Sequence, residues 1–148
     1  MMNSTERLEI EAECYRLVTA YCHYVDHGEA GRIAELFTDD GIWASAESTM
    51  NGKEAVREGF IRRENNRARM SRHVCNNFLL HEVNDKEARG IVYLTLYRHD
   101  GKEGRQFSPL EGPVMVGEYR DHFVKTKDGW RIKHREAEAS FLRFDDRS

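Results

Sequence analysis

Four polar side chains stand in otherwise apolar stretches of this chain: Tyr21, Asp26, His73 and Arg143. Gathered in one apolar cavity, a phenol, a carboxylate, an imidazole and a guanidinium can move protons on an oily substrate. A neutral imidazole is a base near pH 7, and a carboxylate on its other nitrogen fixes the tautomer and stabilises the imidazolium that forms. A phenol or a guanidinium can donate to a leaving hydroxyl, a carbonyl or a developing enolate oxygen. Tyr24 competes with Tyr21 for that place. Each residue also has a plain structural reading. Asp26 can simply end a helix, His73 can be a hydrogen-bonded surface histidine, and Arg143 can form a surface salt bridge with Asp145 or Asp146.

Whether the four meet depends on the elements that carry them. Leu8, Cys14, Leu17, Val18, Tyr21 and Val25 recur at three- and four-residue steps and predict an amphipathic helix over residues 4–27. Asn3 with Glu6 makes a capping box at its start, and Gly28 supplies a left-handed stop. On an ideal helix the five-residue step from Tyr21 to Asp26 turns the face by about 140°, so convergence requires the helix to loosen near Asp26. A short helix is expected through Ile33, Leu36 and Phe37, then a short strand at Ile42-Trp43-Ala44. Asn51-Gly52-Lys53-Glu54 reads as a second capping box, opening a helix with Val56 and Phe60 on one face.

From His73 the period becomes extended. Residues 73–83, 88–99, 114–125 and 130–144 read as strands rich in Val, Ile, Tyr, Phe and Leu. The connection over residues 100–113 is long for a hairpin and is expected to be a lid or a subunit-contact arm. Helices followed by a run of antiparallel strands predict an α+β domain, with the helices packed on one face of a curved sheet. Such a sheet leaves a conical cavity beneath the helices. Tyr24, Trp43, Phe60, Phe78, Tyr93, Tyr119 and Phe141 are its candidate substrate-binding walls, with Tyr21, Tyr97 and Phe123 beside them. Any one of these aromatics can equally be plain core.

Composition bounds the rest. At 148 residues the chain is expected to form a single domain, and its net charge of −3 predicts no general affinity for nucleic acid or acidic lipid. The stretch from Arg62 to Arg72 is the local exception, with five arginines; it reads as a solvated helix end and loop, or as an anion or partner site. Cys14, Cys22 and Cys75 lack CxxC spacing, so neither a disulfide framework nor a zinc site is expected. His23 and His27 are four apart on a helix, but no spacing adds a third ligand, so no metal and no other cofactor is expected. There is no P-loop, no GxGxxG and no GxSxG. The N-terminus has no signal-peptide pattern and no stretch approaches the ~20 apolar residues of a membrane span. A cytoplasmic protein is the expectation.

Three segments carry a family resemblance: Tyr21 through Gly41, Ser71-Arg72-His73-Val74-Cys75-Asn76-Asn77, and Asp128-Gly129-Trp130-Arg131-Ile132. In order and spacing they resemble the SnoaL-like group of the nuclear-transport-factor-like superfamily, over nearly the whole chain. The resemblance implies a cone-shaped α+β domain enclosing an apolar pocket. In the scytalone and bile-acid 7α-dehydratases and the hexachlorocyclohexane dehydrochlorinase of this superfamily, an Asp and a His at places matching Asp26 and His73 form a catalytic pair. Positions matching Tyr21 and Arg143 are a tyrosine and an arginine in the bile-acid enzyme. The chain departs elsewhere. Met115-Val116-Gly117-Glu118-Tyr119 lacks the second histidine of scytalone dehydratase, and Tyr21 stands nearest to the dehydrochlorinase lysine. The carboxylate pair of ketosteroid isomerases and the Asp-Arg-Asp set of limonene epoxide hydrolases are absent. One fold hosts many functions, so the site must carry the argument.

The expected function is a cofactor-independent lyase, dehydratase-like, or an isomerase, acting on a small hydrophobic cyclic substrate. The alternative is a non-catalytic ligand-binding or assembly module, like the small subunit of ring-hydroxylating dioxygenases. The expected partners are the small hydrophobic ligand and further copies of the chain, as a homodimer or homotrimer, with no nucleic acid and no membrane.

Overall fold

The computed structural model describes residues 2–144. Asn3 caps helix α1 (Ser4–Asp26): its side chain accepts from the Glu6 N–H at 2.9 Å while the Glu6 carboxylate accepts from the Asn3 N–H at 3.2 Å. Ile10, Cys14, Leu17, Val18, Tyr21, Cys22 and Val25 form the buried face of this helix. Gly28 leaves it at φ 80°, a conformation that glycine adopts without steric cost. The next turn is a 3-10 helix, Ala30–Leu36, and Phe37 belongs not to it but to strand β1 (Phe37–Ala44). A short strand β2 (Thr49–Asn51) pairs back on β1 and leads into helix α2 (Lys53–Asn65). The expected second capping box does not form. Asn51 is taken into β2 opposite Ile42, and Gly52 is the N-cap at φ 92°, its N–H donating to the Gly41 carbonyl at 2.7 Å.

Four long strands follow: β3 (Arg69–Val83), β4 (Glu87–Asp100), β5 (Met115–Thr126) and β6 (Gly129–Leu142). Strand β3 begins before His73 because residues 69–72 pair with residues 97–100, so the end of the arginine-rich stretch is strand and not loop. The sheet has six strands in the order β2-β1-β6-β5-β4-β3, with β1 parallel to β6 and all other pairs antiparallel. The helices cover one face of this mixed sheet, the α+β arrangement expected.

Bulges bend the sheet around α1. Strand β3 has extra residues at Asn77-Phe78, where Asn77 has φ 56°, and at His81. Strand β6 has one at Lys133 and one at Ser140. An extra residue raises the local twist, bends the strand and exchanges its inward and outward faces beyond that point. At the Ser140 bulge the strands come so close that a Cβ on Gly117 would collide with the Glu138 carbonyl oxygen.

The core between helices and sheet holds Cys14, Val18, Ile33, Val56, Val92, Phe123 and Ile132, all fully buried. One charged pair lies among them. Arg135, 0% exposed, donates from Nε and Nη2 to the two oxygens of Asp121, each at 2.8 Å. Its guanidinium lies 4.4 Å from the ring centroid of Tyr21 and 3.9 Å from that of Tyr119. Burial alone would lower the Arg135 pKa, but the Asp121 carboxylate beside it holds it above the ordinary arginine value. No helix among the described residues is long and apolar enough to cross a membrane. Removing one member of a buried ion pair strands the other charge, at a cost of about 3–5 kcal/mol. Asp121→Ala should lose stability on that scale in urea denaturation, and a loss below 1 kcal/mol would show that Arg135 is not held by Asp121.

Candidate functional site

Asp26 is the last residue of α1, and its side chain, 5% exposed, meets strand β3. Alternate residues of a strand share a face, so Ser71 and His73 approach it together. His73 Nδ1 lies 2.7 Å from Asp26 Oδ1. The His73 backbone N–H donates to Oδ2 at 2.8 Å, and the Ser71 hydroxyl donates to Oδ1 at 2.8 Å. Ser71 Oγ in turn accepts from Arg63 Nη2 at 3.0 Å. Burial works to raise the Asp26 pKa, but the bonds from the His73 ring, the His73 backbone and Ser71 outweigh it and leave the carboxyl below its ordinary value. An ionised carboxylate only accepts, so Nδ1 carries a proton toward Asp26, and in the neutral tautomer this leaves the lone pair on Nε2. Nε2 makes no hydrogen bond among the described residues, and His73 lines a cavity of about 1430 Å³ between the helices and the sheet.

Tyr21, Trp43, Phe60, Leu94, Leu96 and Tyr119 form the inner wall of this cavity. The Tyr21 ring lies 6.2 Å from the His73 ring, centroid to centroid. This approach needs no loosening of the helix, which stays α-helical through Asp26; β3 crosses the helix end and brings His73 to both residues. The Tyr21 oxygen accepts from Trp43 Nε1 at 3.1 Å, leaving its own proton to donate. Burial raises the pKa of Tyr21 and, more strongly, that of Tyr119. Both phenols are therefore protonated donors at neutral pH.

Arg143 reaches the rim of the cavity but not its interior. Its Nη2 donates to the Glu111 carbonyl and, at 3.1 Å, to the Pro113 carbonyl, while Nη1 lies 3.7 Å from the Glu111 carboxylate. It holds residues 101–114 along the cavity; the other partners expected for it, Asp145 and Asp146, lie outside the described residues. Arg105 anchors the same segment by donating to the carbonyls of Ala68 at 2.9 Å and His99 at 2.8 Å.

Of the expected aromatic walls, Trp43, Phe60 and Tyr119 line the cavity and four do not. Tyr24 lies one helical step away, its ring 4.5 Å from the Arg32 guanidinium. Phe78 follows the Asn77 bulge and packs edge-on against Tyr15 and Phe123. Tyr93 takes the outward parity of β4, opposite to Val92 and Leu94, and is half exposed. Phe141 is turned outward, 72% exposed, by the Ser140 bulge, which sends Leu142 to the cavity in its place. The sequence reading did not single out Arg135, Asp121, Ser71 or Arg98. The alternation Tyr119-x-Asp121-x-Phe123 did hold a signal, because it puts a carboxylate at a buried position that requires a cation. Among the described residues no group of three His, Cys, Asp or Glu is placed to hold a metal.

The family model of the SnoaL-like domain matches residues 6–136. Among solved structures, the fold is similar to that of a candidate scytalone dehydratase from Novosphingobium aromaticivorans, with a TM-score of 0.80 and 21% identity over 96% of this chain and 91% of that one. It is similar to LinA, with a TM-score of 0.77 and 19% identity over 98% and 95% of the two chains. It is also similar to an NTF2-like protein with a cystatin-like fold from Novosphingobium aromaticivorans, with a TM-score of 0.75 and 23% identity over 95% and 92%. Identities this low speak to the fold alone. Among curated proteins none matches the sequence.

The depressed Asp26 pKa ties stability to pH with a definite sign. A carboxyl whose folded pKa lies below its unfolded value, about 3.9, contributes stability that is complete above that value and is lost as pH falls through the folded one. The stability gap between wild type and Asp26→Asn should therefore be widest near neutrality and close in acid. Urea titrations from pH 7 downward measure it, and a gap that grows in acid would overturn the assignment of an ionised Asp26.

Proposed function

This chain belongs to the SnoaL-like domain family, and from that premise and the geometry of its site we propose that it is a cofactor-independent lyase or isomerase acting on a small hydrophobic cyclic substrate. One observation carries the reading: the Asp26 carboxylate sits 2.7 Å from His73 Nδ1, and His73 lines a cavity whose inner wall holds Tyr21, Trp43, Phe60, Leu94 and Leu96. Nε2 of His73 takes the proton from a carbon next to a carbonyl. The electron pair moves into the carbon–carbon–oxygen system, and the Tyr21 phenol donates to the developing enolate oxygen. Collapse of the enolate expels a hydroxyl from the next carbon, and the imidazolium returns its proton so that water leaves. Asp26 positions the ring and stabilises the imidazolium without touching substrate. An isomerase runs the same first step and returns the proton to a different carbon. Arg143 acts on the rim segment.

The outer face of the sheet supports self-association as a dimer or trimer. Val74, Thr95, Val116 and Phe141 stand in one register row there, with Val74 and Phe141 exposed. Sedimentation velocity reads the state directly, and a monomer at micromolar concentration would end that part of the reading.

The catalytic reading is tested with a panel of cyclic β-hydroxyketones, following enone absorbance and deuterium uptake from D₂O. His73→Ala should lower turnover by about 10²–10⁴-fold, the span of general acid–base catalysis, with little change in melting temperature. Unchanged turnover would remove His73 as the base. Ligand binding without turnover or deuterium uptake across the panel would favour a non-catalytic binding module.

A further inference from the structure

The same cavity has a second chemistry at its rim. On β3, Arg69, Ser71 and His73 share a face, and on β4 Arg98 stands directly opposite Ser71 in the register, with Asp100 opposite Arg69. Arg63 reaches in from α2 to Ser71. Three guanidiniums therefore surround one serine beside the proposed base, and all three line the cavity. Their neutralisation is incomplete. Asp100 is taken by Arg69 through two bonds, at 2.8 and 3.0 Å. The Asp26 carboxylate is held by His73 and Ser71. Glu47 also lines the cavity and acts on Arg98 through space, without a direct ion pair among the described residues. Arg63 and Arg98 form no ion pair either, and Arg98 makes no hydrogen bond among the described residues. Burial and the neighbouring Arg69 charge lower the pKa values of Arg63 and Arg98 from the ordinary arginine value, outweighing the nearby carboxylates, Asp26 and Asp100 for Arg63 and Asp100 and Glu47 for Arg98. A fold does not gain from pushing unpaired cations together at a cavity mouth, whereas a bound anion relieves the repulsion.

We propose that Arg63 and Arg98 form the subsite for a carboxylate head group, so that the substrate is an amphipathic acid with its apolar ring system against Tyr21, Trp43 and Phe60. This inference rests on the cavity being the ligand site of the proposed function. The strand spacing sets the geometry. Ser71 lies two residues from His73, about 7 Å along β3 at the usual strand rise. The carboxylate is therefore separated from the carbon that loses its proton by about that distance. Guanidinium forks match carboxylate oxygens in pairs, which lysine does not.

The test is calorimetric titration with 2-naphthoate and its uncharged isostere 2-naphthamide. Wild type should bind the acid more tightly by about tenfold, the scale of a charge-assisted hydrogen bond, and the preference should shrink as salt rises. Arg63→Gln/Arg98→Gln should bind both compounds alike, at the affinity of the amide for wild type. Arg98→Gln alone, at a side chain that makes no hydrogen bond among the described residues, should already lose part of the preference, with an unchanged melting temperature as the check on the fold. Equal binding of acid and amide by wild type would overturn the carboxylate subsite while leaving the apolar cavity as a ligand site. A preference that survives in the double variant would overturn the assignment to these arginines. Failure of both compounds to bind, with the His73→Ala assay also silent, would remove the ligand-site reading and this inference with it.

Discussion

The guanidinium of Arg135, enclosed in the core and clamped by Asp121, is the interaction on which the inner wall of the cavity depends. Asp121, its partner in the β5–β6 register, keeps it charged, and its planar faces carry the rings of Tyr21 and Tyr119. Tyr21 then receives the indole N–H of Trp43, so a chain of contacts runs from the sheet interior to the far wall. Buried ion pairs are often no more stable than well-packed apolar residues of similar volume. Retaining one here is better understood through what it orients: the two phenols of the cavity's inner wall, hydrogen-bonded to one another.

Asp26 obeys a different constraint. A carboxylate at the C-terminal end of a helix meets the negative end of the helix dipole, which is unfavourable. Three donors offset this, and all come from residues 71–73 of the neighbouring strand. The backbone N–H of His73 is one of them, so the histidine is bound to the carboxylate through both its main chain and its ring. That double attachment orients the imidazole more firmly than a single side-chain bond would.

Much of this was legible in the chain. The period of α1, its capping box, the glycine stop, the change to extended structure and the Asp26–His73 pairing all follow from local pattern or family resemblance, because each depends on residues close in sequence or on motif order. The failures have one main physical source. Tyr93 sits in a run, Ile91-Val92-Tyr93-Leu94, that is apolar on both parities, so alternation does not say which side faces in. Phe78 and Phe141 stand beside bulges, and a bulge reverses parity without leaving any mark in the hydrophobic pattern. Arg135 was missed for the same reason: Trp130 and Ile132 point inward, parity then puts His134 inside, and the extra residue Lys133 turns Arg135 there instead. Asn51 failed differently, because pairing in β2 took the residue that local capping chemistry had assigned to the helix.

The two bulges of β6 also bear on how this sequence can change over time. Insertions and deletions are usually accepted in loops and rejected in strands, and Lys133, an exposed residue, looks locally like a harmless one to lose. Its removal would leave the ladder regular: Ile132 and His134 would follow one another opposite Phe123 and His122, Arg135 would stay opposite Asp121, and only the twist and bend of the bulge would be lost. Ser140 is the same kind of extra residue, and without it Ala139 and Phe141 would still lie opposite Gly117 and Val116. Curvature, not side-chain chemistry, is what these two positions contribute: their side chains are free to vary, and loss of either residue would straighten the strand beside the cavity without changing which residues face it.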